Sequence, residues 1–136
     1  MSIKKKVLVT GGAGFIGSHL SITLVKLGYS LTIVDNLSTG RLENINEILD
    51  QVKFIKGDIS KKTNWFKKIN NIDFVFHLAA LADIVPSIEN PEKYFESNVK
   101  GTLNVLELSK RLKVKKLVYA ASSSCYGIPK KFPTNE

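Results

Sequence analysis

Short apolar runs alternate with longer stretches of helical periodicity along this chain. Val7-Leu8-Val9, Leu31-Thr32-Ile33-Val34, Val52-Lys53-Phe54-Ile55, Phe74-Val75-Phe76 and Leu117-Val118-Tyr119-Ala120 are rich in β-branched and aromatic residues. Most of these runs are continuous rather than alternating in polarity, the pattern of strands covered by helices on both faces. Between them, Ile16, Leu20, Leu24 and Leu27 recur at steps of three and four and predict a helix that Gly28 ends. Ile45, Ile48 and Leu49 mark a short helix, and Trp65, Phe66 and Ile69 another, with both aromatics expected in the core. The longest helix is predicted to start at Asn90-Pro91, a capping residue followed by a proline whose missing N–H costs nothing in a first turn. Tyr94, Phe95, Val99, Leu103 and Leu106 are expected to be its buried stripe.

Strand and helix in alternation, repeated to five strands, specify an α/β fold with a parallel sheet and right-handed crossovers. The expected strand order is 3-2-1-4-5, the first five strands of a Rossmann-type doubly wound sheet. At 136 residues the chain has room for one domain, expected to span residues 1–136. Apolar residues make up 43% and charged residues 24%, ordinary for a globular protein. No long uninterrupted apolar run argues for a membrane span, and the basic N-terminus is followed by too short an apolar run for a secretory signal. Cys125 is the only cysteine, so no internal disulfide forms, which suits a reducing cytoplasm.

The formal charge of +8 raises the question of nucleic acid. The cations are nearly all lysines in scattered pairs and triplets, such as Lys4 to Lys6, Lys61-Lys62 and Lys115-Lys116, flanking apolar runs. Solvated strand ends and helix surfaces account for that distribution, so no nucleic-acid partner is expected, and the charge favours an anionic ligand. No metal site is expected either.

The candidate chemistry lies in Thr10-Gly11-Gly12-Ala13-Gly14-Phe15-Ile16-Gly17, between the first strand and the first helix. Gly12, Gly14 and Gly17 have the spacing of a dinucleotide-binding turn. Glycines permit close backbone approach, and the helix N-terminus offers unpaired N–H groups and a partial positive charge to a pyrophosphate. Asp35 follows Gly17 by 18 residues at the end of the second strand. A carboxylate there accepts both ribose hydroxyls and repels a 2′-phosphate, so NAD is expected over NADP; Arg41, nearby, is the feature that argues the other way.

These motifs resemble the extended short-chain dehydrogenase/reductases that act on nucleotide sugars, and the resemblance runs through the whole chain. The family's Thr-Gly-x-x-Gly-x-x-Gly turn is matched by Thr10, Gly11, Gly14 and Gly17, with Phe15 and Ile16 inside it. Val34-Asp35-Asn36-Leu37-Ser38-Thr39-Gly40 is similar to the adenosine-ribose loop, which implies Asn36, Ser38, Thr39 and Gly40 as cofactor contacts. Gly57-Asp58-Ile59 resembles the segment that flanks the adenine. His77-Leu78-Ala79-Ala80 resembles the loop after strand four beside the cofactor, and Asn98 falls where the family keeps a mid-helix asparagine near the nicotinamide. Read without the resemblance, Asp58 is a helix cap, Asn98 a solvent-facing or hydrogen-bonded helix residue, and His77 a structural residue bonded at a strand end.

Tyr119-Ala120-Ala121-Ser122-Ser123-Ser124-Cys125-Tyr126-Gly127 resembles the family's catalytic strand end. The resemblance implies Ser122 as the catalytic hydroxyl, Ser124 as a substrate contact, and Cys125 as a buried, inert thiol. It also implies a tyrosine base with a nearby lysine, in a Tyr-x-x-x-Lys pair on the next helix, beyond Glu136. Tyr126 and Lys130 have that spacing, but Gly127 and Pro129 argue against one helix face there. Dehydratase relatives follow the hydroxyl with an Asp-Glu pair and decarboxylases tend to keep the Glu; Ser123 and Ser124 stand in those places, which favours 4-epimerisation through a transient 4-keto sugar.

Three readings follow: the N-terminal, NAD-binding part of a UDP-sugar 4-epimerase, inactive by itself; a non-catalytic dinucleotide-binding module; or a nucleotide-sugar dehydratase or reductase. The substrate region is expected to lie outside the chain. The fifth strand is then an apolar edge, so self-association into a homo-oligomer is expected.

Overall fold

The computed structural model describes residues 4–128 and 131–133, with the exception of the Ser124 side chain. Five strands form one parallel sheet: β1 (Lys6–Thr10), β2 (Ser30–Asp35), β3 (Lys53–Lys56), β4 (Phe74–His77) and β5 (Lys116–Tyr119). Their order across the sheet is β3-β2-β1-β4-β5, as the alternation of runs predicts. β3 and β5 each lie one residue off their expected positions. The crossovers carry α1 (Phe15–Lys26), a 3₁₀ helix (Leu42–Ile48), α2 (Asn64–Lys68), α3 (Ile84–Glu89), α4 (Pro91–Tyr94) and α5 (Gly101–Arg111). A π-helical segment, Phe95–Lys100, joins α4 to α5, and a second 3₁₀ helix covers Ser123–Tyr126.

The central strands β1, β2 and β4 are covered on both faces, which explains their unbroken apolar runs, while the edge strand β5 is largely exposed. On β1, Val7 and Val9 face one way, into a core with Leu24, Ile33, Ile45 and Ile48. Leu8 faces the other way, into a core with Val75, Trp65, Ile69, Val105 and Leu108. At the amino edge of the sheet, the Asp73 carboxylate accepts the Lys6 N–H at 2.8 Å and pairs with Lys115 at 2.8 Å. The Lys115 ammonium, together with the Lys6 amide, holds that carboxyl below its usual range. No described helix is long and apolar enough to cross a membrane.

Three expectations change. On the longest helix, Phe95, Val99, Leu103 and Leu106 are exposed, at 47–57% of their surface, rather than buried. The buried face is instead Gly101, Asn104, Val105 and Leu108, at i, i+3, i+4 and i+7. The physical reason is the fit against the loop after β3. A Cβ on Gly101 would lie 2.8 Å from Ile59 Cδ1, and Asn104 donates to the Ile59 carbonyl at 2.8 Å. On α1, Gly17, Ser18, Ser21 and Leu24 are buried while Ile16 and Leu27 are exposed, because small residues let the helix lie close to the glycine turn. Cys125 is exposed, not buried, since its 3₁₀ turn lies beyond the end of the edge strand β5. Of the two aromatics on α2, Trp65 is fully buried and Phe66 partly so.

The reassigned helix face is testable by denaturant unfolding. Leu108→Ala is expected to cost about 2–5 kcal/mol, as for a buried leucine. Leu103→Ala, at an exposed site, is expected to stay within about 0.5 kcal/mol. Equal losses would contradict the orientation of α5.

Candidate functional site

A cleft of about 310 Å³ opens at the carboxyl edge of the sheet, where the β1 and β4 crossovers leave in opposite directions. Its floor is the glycine turn. Gly11 has φ +70, and a Cβ there would lie 2.7 Å from the Ala79 nitrogen, so only glycine lets the two backbones meet. A Cβ on Gly17 would lie 2.0 Å from the Gly11 carbonyl oxygen. Gly14 caps α1 without a side-chain bond, and the first helical bond runs from Ser18 N–H to Gly14. The amides of Phe15, Ile16 and Gly17 precede that bond and keep their donors for a partner outside the helix.

Asp35, at the end of β2, is buried beside the turn. Its Oδ2 accepts the Ala13 N–H at 2.9 Å and its Oδ1 the Leu37 N–H at 2.8 Å. Each carboxylate oxygen has two acceptor positions, so a second remains on each. The following loop docks on the same residue: Arg41 N–H and Asn44 Nδ2 both donate to the Ala13 carbonyl, at 3.1 and 2.8 Å. Arg41 therefore has a backbone role in shaping the loop. Asn36, Ser38, Thr39 and Gly40 line the cleft wall on this side.

Asp58 and Ile59 line the far end. Asp58 Oδ1 accepts the Ser60 N–H at 2.9 Å and the Ser60 hydroxyl at 2.8 Å, a local turn that makes it no cap of α2. A second hollow of about 260 Å³ continues the cleft past Asp58 toward Lys61 and Lys93. Opposite the glycine turn, Leu78, Ala79 and Ala80 form the remaining wall.

The structure thus brings Gly11, Gly14, Phe15, Ile16, Gly17, Asp35, Asn36, Ser38, Thr39, Gly40, Asp58, Ile59, Leu78, Ala79 and Ala80 around one cleft. Asn98 is not on that wall. Its side chain is committed to the loop behind it, accepting the Leu81 N–H at 2.9 Å and donating to the Leu81 carbonyl at 2.8 Å. Its neighbour Ser97 reaches the cleft instead, as do Val34, Gly57, Leu81 and Ala120. The sequence assigned none of these five a cofactor contact, although each lies in or beside a recognised segment. Ser122 is exposed two residues past Ala120, and its carbonyl accepts the Cys125 N–H at 3.2 Å. The Ser124 side chain and Lys130 lie outside the described residues. Gly127, at φ +67, ends the turn that holds Tyr126, so no helix carries Tyr126 onward. Among the described residues no cluster of His, Cys, Asp or Glu forms a metal site.

Behind the cleft, His77 is 1% exposed and bonded through both ring nitrogens, Nδ1 to the Thr10 hydroxyl at 2.6 Å and Nε2 to the Thr102 hydroxyl at 2.9 Å. Burial pushes its imidazole down to about 4 from the ordinary 6.5. This is the structural role expected of it.

A doubly wound parallel sheet with a glycine turn, a helix N-terminus and a strand-end carboxylate around one cleft defines a dinucleotide-binding domain. Residues 7–136 match the model of the NAD dependent epimerase/dehydratase family, and this chain belongs to that family. It is 35% identical, over 97% of its length, to the bifunctional UDP-glucose 4-epimerase and UDP-xylose 4-epimerase 1 of Pisum sativum, of which it covers 41%. It is 40% identical, over 92% of its length, to the UDP-N-acetyl-alpha-D-glucosaminuronate decarboxylase of Bacillus cytotoxicus, of which it covers 39%. The crystal structure of the Bifidobacterium longum UDP-glucose 4-epimerase in complex with NAD+ and UDP superposes with a TM-score of 0.87 at 37% identity, over 97% of this chain and 41% of that one. The chain therefore spans about two fifths of the length of these relatives.

The low pKa of His77 sets a pH dependence. The folded imidazole stays neutral down to about 4, while the unfolded one takes a proton near 6.5. Its contribution is therefore complete above pH 6.5 and lost as the pH falls toward 4, by at most about 1.4 kcal/mol per pH unit. Denaturant unfolding across that window is expected to show the fall, and His77→Gln a shallower one. Parallel curves would contradict it.

Proposed function

We propose that this chain is the NAD-binding part of a nucleotide-sugar 4-epimerase acting on UDP-sugars. The observation that carries the reading is the single cleft in which the glycine turn, the α1 N-terminus and Asp35 converge. The residues fit the cofactor. The unpaired amides of Phe15 to Gly17 suit a pyrophosphate, and the bare backbone at Gly11 and Gly14 leaves room for its close approach. Asp35 retains acceptors for two ribose hydroxyls and would repel a 2′-phosphate, and Asp58 and Ile59 would flank the adenine. NAD, when bound, supplies a hydride acceptor that returns the hydride to the sugar.

Ser122 is assigned the hydrogen bond to the sugar oxygen at the carbon being oxidised, just past the cleft end at Ala120. Ser124 is assigned a substrate contact. The proton acceptor, a tyrosine with a lysine beside it, is assigned to residues outside this chain. Ser123 and Ser124 favour epimerisation, since neither hydroxyl does the acid/base work of a carboxyl group near neutral pH. The 40% identity to a decarboxylase favours a second reading, decarboxylation on the same scaffold, and the serines speak against it. A homo-oligomer in a cytoplasmic setting completes the proposal. The exposed ridge of Phe95, Val99, Leu103 and Leu106 supplies apolar surface for association, and light scattering at a single-chain mass would contradict it.

Calorimetric titration with NAD, with NADP as control, tests the cofactor reading. Saturable NAD binding is expected, with NADP weaker by about tenfold or more and Asp35→Asn narrowing the gap. Equal binding of both would remove the role of Asp35, and no binding to a folded chain would remove the site. For the chemistry, the protein extended to the length of its relatives is expected to interconvert UDP-glucose and UDP-galactose. Ser122→Ala is expected to lower kcat by roughly 10²-fold or more; an unchanged kcat would remove Ser122 from catalysis.

A further inference from the structure

The cleft wall after β4 is hung from behind by a circuit of hydrogen bonds, joined through the covalent frame of Asn98, that the cofactor reading does not use. Its geometry, with a neutral ring, fixes every proton. The Thr102 hydroxyl lies 2.6 Å from the main-chain carbonyl oxygen of Asn98, and a carbonyl cannot donate, so the one hydroxyl proton of Thr102 points there. Toward His77 the same oxygen must accept, which puts a hydrogen on Nε2, 2.9 Å away. In a neutral ring Nδ1 is then bare and accepts from the Thr10 hydroxyl at 2.6 Å. With its proton spent, Thr10 Oγ1 is left to accept the Ala79 N–H at 3.4 Å. At the other end, Asn98 takes the Leu81 N–H and gives a hydrogen to the Leu81 carbonyl. Ala79 and Leu81 are thus tied to one set of anchors, Ala79–Thr10–His77–Thr102 ending on the Asn98 main chain and Leu81 on the Asn98 side chain, joined through the covalent frame of Asn98.

We propose that His77 is a positioning residue of the dinucleotide site: as the neutral Nε2–H tautomer it holds the Ala79–Leu81 wall at its height above the glycine turn. The inference rests on reading the cleft as an NAD site. Height matters because Ala79 meets Gly11 where no Cβ fits, so the wall and the turn set each other's place. A cationic ring would leave the circuit one acceptor short: Nδ1 would then donate to Thr10, and the Thr10 hydroxyl proton would lose the acceptor it has in the neutral ring. The surroundings favour neutrality: β1 presents Thr10, α5 presents Thr102, and β5 lays the Tyr119 ring against the imidazole at 5.4 Å. The Tyr119 phenol is the titratable group among them, and among the described residues no carboxylate or ammonium is bonded to His77.

Two measurements test this. Long-range ¹H–¹⁵N correlation in the histidine-labelled protein at neutral pH is expected to show His77 with Nε2 protonated and Nδ1 bare; an Nδ1–H tautomer or an imidazolium would overturn the proposal. NAD titration well below the melting temperature is expected to find Thr102→Val, which removes the bonds to His77 and to the Asn98 carbonyl, weaker than the parent by about tenfold. Thr102→Ser, which keeps the hydroxyl, is expected to restore affinity to within about twofold, whereas a merely structural role would lower stability and leave affinity alone. Parent-like affinity in folded Thr102→Val would overturn the proposal. A parent that binds no NAD would overturn the functional reading, and the role of His77 with it.

Discussion

The glycine turn and the loop after β4 meet backbone to backbone, with no room for a side chain between Gly11 and Ala79. Most of the site depends on that contact. It draws the start of α1 against the carboxyl ends of β1 and β4, so that the helix amides open onto the same space as Asp35. The Ala13 backbone extends the arrangement, giving its N–H to Asp35 and taking bonds from Arg41 and Asn44 on its carbonyl. The turn, the acid and the loop after β2 are therefore held as one piece. A preformed cleft of this kind spares a ligand the ordering cost that flexible loops would impose.

The buried polar groups behind the cleft follow the same logic in a different medium. His77 sits in the core at 1% exposure, where an unbonded imidazole nitrogen would be costly, and both nitrogens are bonded. Its neutrality, its low pKa and the direction of its bonds are one fact seen three ways. Ser21 is the contrast. Its hydroxyl is buried under the glycine turn without a partner among the described residues, where α1 comes close and Ser21 lies against Gly12.

The sheet and the cofactor cleft were legible in the sequence because each follows from local rules. Continuous apolar runs mean strands buried on both faces, and glycines at fixed spacing before a helix mean a close backbone approach. What was not legible depends on which of two apolar faces a helix turns inward. The stretch from Phe95 to Leu108 carries two stripes, one through Phe95, Val99, Leu103 and Leu106 and one through Val105 and Leu108. Periodicity alone does not choose between them, and the larger side chains mislead. The choice is made by Gly101 and Asn104, small and polar, which fit against Ile59. Asn98 illustrates the same limit. Its place on the helix was readable, but its amide serves the Leu81 backbone, a pairing set by the π-helical turn from Phe95 to Lys100. The exposure of Cys125 likewise follows from its place beyond an edge strand, which no local pattern encodes.

The most direct test of the central claim is a map of backbone amide shifts as NAD is titrated into the labelled protein. The account predicts that the largest changes fall on Phe15 to Gly17, on Asp35 to Gly40 and on Leu78 to Leu81, together and at one affinity. Changes confined to the lysine-rich surface, or none in a folded protein, would contradict it.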